Sequence, residues 1–384
     1  MLNSDRENIV AYRLSGHHLS EQVGSEDWLK AAECAPQNTP PGGALLGLRV
    51  RVAELRFSDV RAARDETREL VEVWSLRQSP CMMRVDEMPV FTTGVCPDDE
   101  ESWRAVMQGF LPIMDGMGRS ATEIVDLVDE ALMDALDGGV KLSKRGMGEE
   151  LGKRLPKEFA GWCEPTTFSN FTAILVRALS LRGGFVITPR SGNEAHFMRT
   201  DHWLGAEPPS MDRSEARASV VERYLRMYGP STPDDFAAWA GISEAAAGRI
   251  WSEVESDLVE VDAGKRPAYV LKPHVKTLES PPRPAPYRLV PAYDPYLQQR
   301  ERAIVAPDGA LRKQIWKHTG NPGVVLRDGE VVALWRHRKK GRKLAVNVAP
   351  VSRLTAEDRA AIEEEAAPLA EFRELTETTV SFDF

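Results

Sequence analysis

The chain has 384 residues, 42% hydrophobic and 28% charged, with a formal net charge of -9; this is the composition of a water-soluble globular protein with room for two to four domains. No apolar run nears the ~20 residues that cross a bilayer, and MLNSDRENIV lacks the basic start and apolar core of a secretory leader. The four cysteines (Cys34, Cys81, Cys96, Cys163) show neither CxxC nor finger spacing, which argues against a zinc site or a disulfide framework and points to a reducing cytoplasm.

The first stretch, 6–95, reads as helices near 7–19, 27–33, 42–55 and 58–64, then the strand LVEVWSL and the closing run DEMPVFTTGV. Within it ECAPQNTPPGGALL, beginning at Glu33, sets Gln37, Asn38 and Thr39 between Pro36 and Pro40-Pro41-Gly42-Gly43. Two readings stay open. Asn38 or Thr39 caps the apolar helix that follows, or the three hydrogen-bonding side chains form a functional corner. Glu33, one helical turn earlier, is a further carboxylate candidate. His17 and His18 are adjacent and so point apart on a helix, and the other histidines are isolated; no metal or cofactor is expected.

A second stretch, 97–205, carries acidic helices around SATEIVDLVDEALMDAL, then SNFTAILVRALSLRG with Ser169, Asn170, Thr172, Arg177 and Arg182, then GGFVITPRSGNEAHFMR, a hairpin with Ser191-Gly192-Asn193 at its tip. The third, 214–271, is the most regular. SEARASVVERYLRMYG has a helical apolar stripe and stops at Gly229-Pro230. STPDDFAAWAG has Thr232 as N-cap and Pro233 at the first helical position. SEAAAGRIWSEVE starts at the N-cap Ser243 and is net acidic, which suits a scaffold better than a groove reader. DLVEVDAGKRPAYVL is a hairpin whose tip includes Gly264-Lys265-Arg266. Three helices followed by a hairpin is the winged-helix pattern, although a winged helix alone proves no DNA binding.

SPPRPAP, 280–286, is a proline-rich linker. Beyond it YRLVPAY, RAIVAP, KQIWKH, GVVLRDGEVVALWRHR and KLAVNVAPV read as β-rich, with Asp328-Gly329 as a strong hairpin turn. Asp294-Pro295 reads as a structural N-cap followed by proline. SRLTAEDRAAIEEEAAPLAEFRE closes as an amphipathic helix capped by Thr355. Charge is unevenly spread. Residues 284–350 hold 13 Lys and Arg against 5 Asp and Glu, whereas 351–384 hold 3 against 9. WRHRKKGRK concentrates Arg336, Arg338, Lys339, Lys340, Arg342 and Lys343, six cations with no acid in nine residues. Such a cluster meets nucleic-acid phosphates, or else guards a sheet edge as a solvated turn.

YGPSTPDDFAAWAGIS, LVPAYDPYLQQRER and VVLRDGEVVALWRHRKKGRKLAVNV resemble the winged-helix proteins related to bacterial alkylpurine DNA glycosylases. The resemblance covers nearly the whole chain. It implies three tandem winged helices finished by a small β-barrel, and hydrolysis of N-glycosidic bonds to alkylated purines, including crosslink unhooking and self-protection in antibiotic producers. In that family the corner carries Gln, an aliphatic residue, then Gln or Asp. Here Gln37 matches the first position, Asn38 is polar where the family is aliphatic, and Thr39 stands at the third. Trp74 and Arg77 match a second family stretch, in which Cys81 occupies the place of a histidine.

The expected fold is therefore α+β: winged helices over 1–96, 97–208 and 209–279, then a β-barrel or curled sheet with basic hairpin and terminal helix over 280–384. Gln37 and Thr39 are the expected catalytic residues. Asn38, Arg336, Arg338, Lys339, Lys340, Arg342 and Lys343 are the expected nucleic-acid contacts. The expected partner is double-stranded DNA bearing alkylated purines or crosslinks, met by a monomer at the cytoplasmic nucleoid. The expected activity is a repair or self-resistance glycosylase with a degenerate motif; the alternative is a DNA-binding or regulatory protein that kept the fold without the chemistry.

Overall fold

A computed structural model describes residues 2–190, 192, 194–263 and 267–382. Ser191 and Asn193 of one expected wing tip, Gly264, Lys265 and Arg266 of the other, and the side chain of Asn170 lie outside the described residues. The chain forms two compact units of mixed α/β structure: residues 1–62, 222–235 and 255–384 make one, and 63–221 with 236–254 make the other.

The first unit is built on a five-stranded sheet. Its strands run in the order Glu377–Phe382, Lys343–Pro350, Glu330–Lys340, Gly323–Arg327, Tyr287–Val290, all antiparallel except the first pair. Asp328 and Gly329 both have positive φ, 50° and 86°, the two left-handed positions of a tight hairpin turn. Arg327 then faces Glu330 across it, as the sequence predicts. Val290, Val324, Leu326 and Leu334 of this sheet bury themselves against Val10 and Leu14 of helix Arg6–Gly16 and Val50 of helix Gly43–Arg51. A second, smaller sheet pairs Leu258–Asp262 with Pro267–Leu271 and, in parallel, with Leu2–Asn3.

Three expectations for this unit change. RAIV and the KQI of KQIWKH lie in helices, Arg302–Val305 and Gly309–Ile315, not in strands. Asp308 caps the second by accepting from Leu311 N at 2.6 Å, and Leu311 and Ile315, four residues apart, face the same core. Short apolar runs fit either period, and here the cap decides. The terminal helix divides into Ala356–Ala366 and Pro368–Phe372, because Pro368 brings no N–H to the helical ladder. The tail Glu377–Phe382 is a further strand beside Lys343–Pro350.

The second unit contains the hairpin Leu70–Trp74 with Pro80–Arg84 and the sheet of Leu142–Ser143, His196–Arg199 and Phe185–Ile187. Helix Ala121–Ala135 starts in a full capping box between Ser120 and Glu123, and buries Ile124, Val125, Val128 and Leu132 on one face. Helix Glu244–Trp251 begins at the expected N-cap, Ser243, whose hydroxyl accepts from Ala246 N at 3.1 Å.

Candidate active-site corner and nucleic-acid interface

The corner forms because a 3-10 segment, Ser25–Cys34, ends at Ala35 in a left-handed conformation and Pro36 stops any continuation. The chain re-enters a helix at Gly43 through Gly42, whose φ of +89° favours glycine. Asn38 holds this bend. It is 5% exposed, and its Oδ1 accepts from Gly42 N at 2.8 Å. The capping reading thus describes Asn38, whose carboxamide oxygen is turned into the protein. Thr39 is exposed and Gln37 half-buried, and the side chain of neither makes a hydrogen bond among the described residues.

Beneath the bend the charged groups are paired, while Arg51 Nε and His18 Nε2 are buried without a hydrogen bond among the described residues. Glu33 accepts from Arg226 Nη2 at 2.6 Å. Arg51 is fully buried and gives two 2.7 Å bonds to the two oxygens of Asp294, plus a third to Gly47 O. Burial pushes the Cys34 thiol up to about 11, so it is protonated at neutral pH and is no nucleophile. Burial, followed by the charges of Arg226 and Arg51, lowers His18 to about 4, so this imidazole is neutral. The corner therefore offers the carboxamide of Gln37 and the hydroxyl of Thr39, neither hydrogen-bonded among the described residues, above the Glu33–Arg226 and Arg51–Asp294 pairs.

The basic hairpin joins strands Glu330–Lys340 and Lys343–Pro350 through Gly341-Arg342. Cross-strand pairing sets Arg336 opposite Asn347, Arg338 opposite Ala345 and Lys340 opposite Lys343, all on one face. On the other face Leu344, Val346 and Val348 are buried. The neighbouring strand continues the outer face with Glu377, Thr379 and Ser381, leaving it free of large apolar groups. Two of the six cations have partners: Arg336 donates to Gly320 O at 2.6 Å, and Lys343 pairs with Glu377. The side chains of Arg338, Lys339, Lys340 and Arg342 are exposed and make no ion pair or hydrogen bond among the described residues.

One short run ties corner to hairpin. Phe372, Arg373 and Glu374 line a cavity of about 200 Å³ together with Gly42, Leu45, Leu46 and Phe57. Two residues on, ~7 Å of chain at most, Thr376 donates its N–H and hydroxyl to Arg342 O at the hairpin tip, at 2.8 and 3.0 Å. Arg373 also lies within Coulomb reach of His337 on the long strand. Sequence reasoning passed over Arg373, one of three cations in an acidic tail; the parallel pairing of that tail with the hairpin brings it here.

Cys81 lies in the other unit, 1% exposed on strand Pro80–Arg84 and opposite Val73. Arg77 there has a positive φ of 53° and donates to Trp239 O. Among the described residues no three His, Cys, Asp or Glu are grouped to hold a metal, and no helix is long and apolar enough to cross a membrane.

A profile of the family described as DNA glycosylase AlkZ-like matches residues 33–372. This chain belongs to the AlkZ-like DNA glycosylase family. The matched span opens at Glu33, at the head of the corner. A curated relative from Streptomyces sahachiroi, an interstrand DNA cross-link repair glycosylase, is 27% identical over 315 residues, 76% of this chain and 80% of that protein. The solved structure of Streptomyces sahachiroi DNA glycosylase AlkZ shares the fold, with a TM-score of 0.79 at 23% identity over all of both chains.

Proposed function

We propose that this AlkZ-like protein binds double-stranded DNA through the basic hairpin and hydrolyses the N-glycosidic bond of N-alkylated purines at the Gln37 corner. The observation that carries the reading is the link through Phe372–Thr376, which joins a corner with an unengaged carboxamide to a hairpin with unpaired cations. An alkylated purine leaves with its positive charge neutralised, so the reaction needs no strong general acid. It needs a held water and stabilisation of an oxocarbenium-like sugar. Gln37 positions that water through its carboxamide, and Thr39 adds one short-reach hydroxyl. The test is a base-release assay on N7-methylguanine DNA with enzyme in excess, run beside Gln37→Ala. Abasic product from the wild type, lost in the variant, supports the reading; binding without release at any enzyme excess sinks the chemistry.

A second reading, a DNA-binding protein without hydrolysis, is favoured by Glu33. This carboxylate of the corner segment is already held by Arg226, and a carboxamide stabilises a developing cation less than a carboxylate does. Binding whose logarithm falls linearly with log salt, with no product, selects it.

The proposal extends to architecture and biology. The hairpins Leu70–Trp74 with Pro80–Arg84, Phe185–Ile187 with His196–Arg199, and Leu258–Asp262 with Pro267–Leu271 each follow helical stretches. They support three winged-helix modules over 1–96, 97–208 and 209–279. Crosslinked DNA, after which the Streptomyces sahachiroi relative is named, joins the substrate class. The protein acts as a monomer at the nucleoid, in repair or in self-protection; sedimentation and alkylation survival are the corresponding measurements.

A further inference from the structure

The second unit compensates its arginines with care. Arg182 is paired with Asp126 and Asp129, Arg199 with Asp137 and Asp201, Arg154 with Asp134 and Glu150, and Arg217 with Asp98. Two indoles depart from this pattern: Trp203, which carries Arg68 at 3.5 Å and Lys141 at 5.9 Å, and Trp74. Lys144 Nζ lies 5.7 Å and Arg177 Cζ 5.9 Å from the centroid of the same indole, Trp74. The ring is 5% exposed and wedged against Phe197 at 4.6 Å and Phe185 at 6.3 Å. The side chains of Lys144 and Arg177 make no hydrogen bond or ion pair among the described residues. Partial burial, then the charges of Arg177 and Arg190, pull the Lys144 ammonium below its ordinary value, with no carboxylate acting in the opposite sense. Burial likewise lowers the Arg177 guanidinium.

Two cations partly desolvated on one aromatic ring, Lys144 within Coulomb reach of Arg177, repel each other and favour any anion that enters. Cation–π attraction to the indole offsets part of the repulsion; it supplies no negative charge. Arginine and lysine together suit the tetrahedral oxygens of a phosphate.

We propose that Lys144 and Arg177 form an anion site against Trp74 that takes one backbone phosphate of the DNA. The proposal rests on the reading that this protein binds DNA, and it gives the second unit a phosphate contact of its own, separate from the hairpin. The residues are drawn from three elements: Trp74 ends strand Leu70–Trp74, Lys144 opens helix Lys144–Arg154, and Arg177 sits in helix Ala173–Leu179. Trp74 thus brings both cationic heads within about 6 Å of one ring.

The experiment titrates the full-length protein with a short undamaged duplex, by fluorescence anisotropy, over a series of salt concentrations. Wild type is compared with Lys144→Gln/Arg177→Gln and with the charge-keeping pair Lys144→Arg/Arg177→Lys. The double glutamine variant is expected to lose about 0.9 from the slope of log K against log salt, the contribution of one phosphate contact, while the charge-keeping pair retains the slope. An unchanged slope in a double glutamine variant that melts like wild type overturns the inference and leaves the DNA reading standing. If that variant fails to fold, Lys144→Gln alone, at an exposed position, decides: a shallower slope supports the site and an unchanged one overturns it. A wild type that shows no binding at low salt removes the DNA reading and this site with it.

Discussion

Two polar bends of the first unit carry nearly the same local signal and engage their polar side chains in opposite ways. At Asp294-Pro295 the polar residue is 3% exposed, accepts two 2.7 Å bonds from Arg51 and a third from Tyr296 N, and caps the short 3-10 helix Pro295–Gln298. At Gln37-Asn38-Thr39-Pro40 only Asn38 is turned inward, while Gln37 and Thr39 keep their hydrogen-bonding capacity for solvent or a ligand. A polar residue before proline marks a bend in both cases. What separates a structural bend from a site is whether a buried partner waits for the side chain.

The sharpest way to break this comparison is Asp294→Ala. It strands the buried Arg51 guanidinium, and chemical denaturation is expected to show a loss of ~3–5 kcal/mol; a loss of a few tenths would make the two bends equivalent. Gln37→Ala is the counterpart. Its unfolding free energy should move by less than ~0.5 kcal/mol, while base release in single-turnover assays drops about a hundredfold or more. Charge reversal at Lys339 and Lys340 comes next. It should weaken duplex binding at least about tenfold and flatten the salt dependence by roughly 2 in slope, with the melting temperature unchanged because neither side chain holds a partner among the described residues. The smallest effect belongs to Asn38→Ala, which removes the acceptor for Gly42 N and costs about 1 kcal/mol. A change in DNA affinity with unchanged stability at that position would assign Asn38 to the ligand instead.

The hairpin was legible in detail because its information is local. Asp328-Gly329 sets the first turn, Gly341-Arg342 the second, and alternation assigns each cation to a face. The capped helices were legible for the same reason: Thr232, Ser243 and Thr355 satisfy backbone donors within three residues of themselves. RAIVAP and KQIWKH were misread because four to six apolar-rich residues suit a strand or a helix equally well until a cap is recognised. The strand Glu377–Phe382 escaped notice because its partner is more than thirty residues upstream and its own pattern is weak.

The sequence alone determined the bends, the caps, the turn chemistry and the uneven charge, all of which follow from contacts a few residues apart. The tertiary structure alone decided which charges are spent. It paired Glu33 with Arg226 and Asp294 with Arg51, carried Arg373 to the corner, and set Lys144 and Arg177 against Trp74 with no ion pair among the described residues. The physical reason is that a charge acts through space and through its loss of water, and neither distance nor burial is written in the order of the residues.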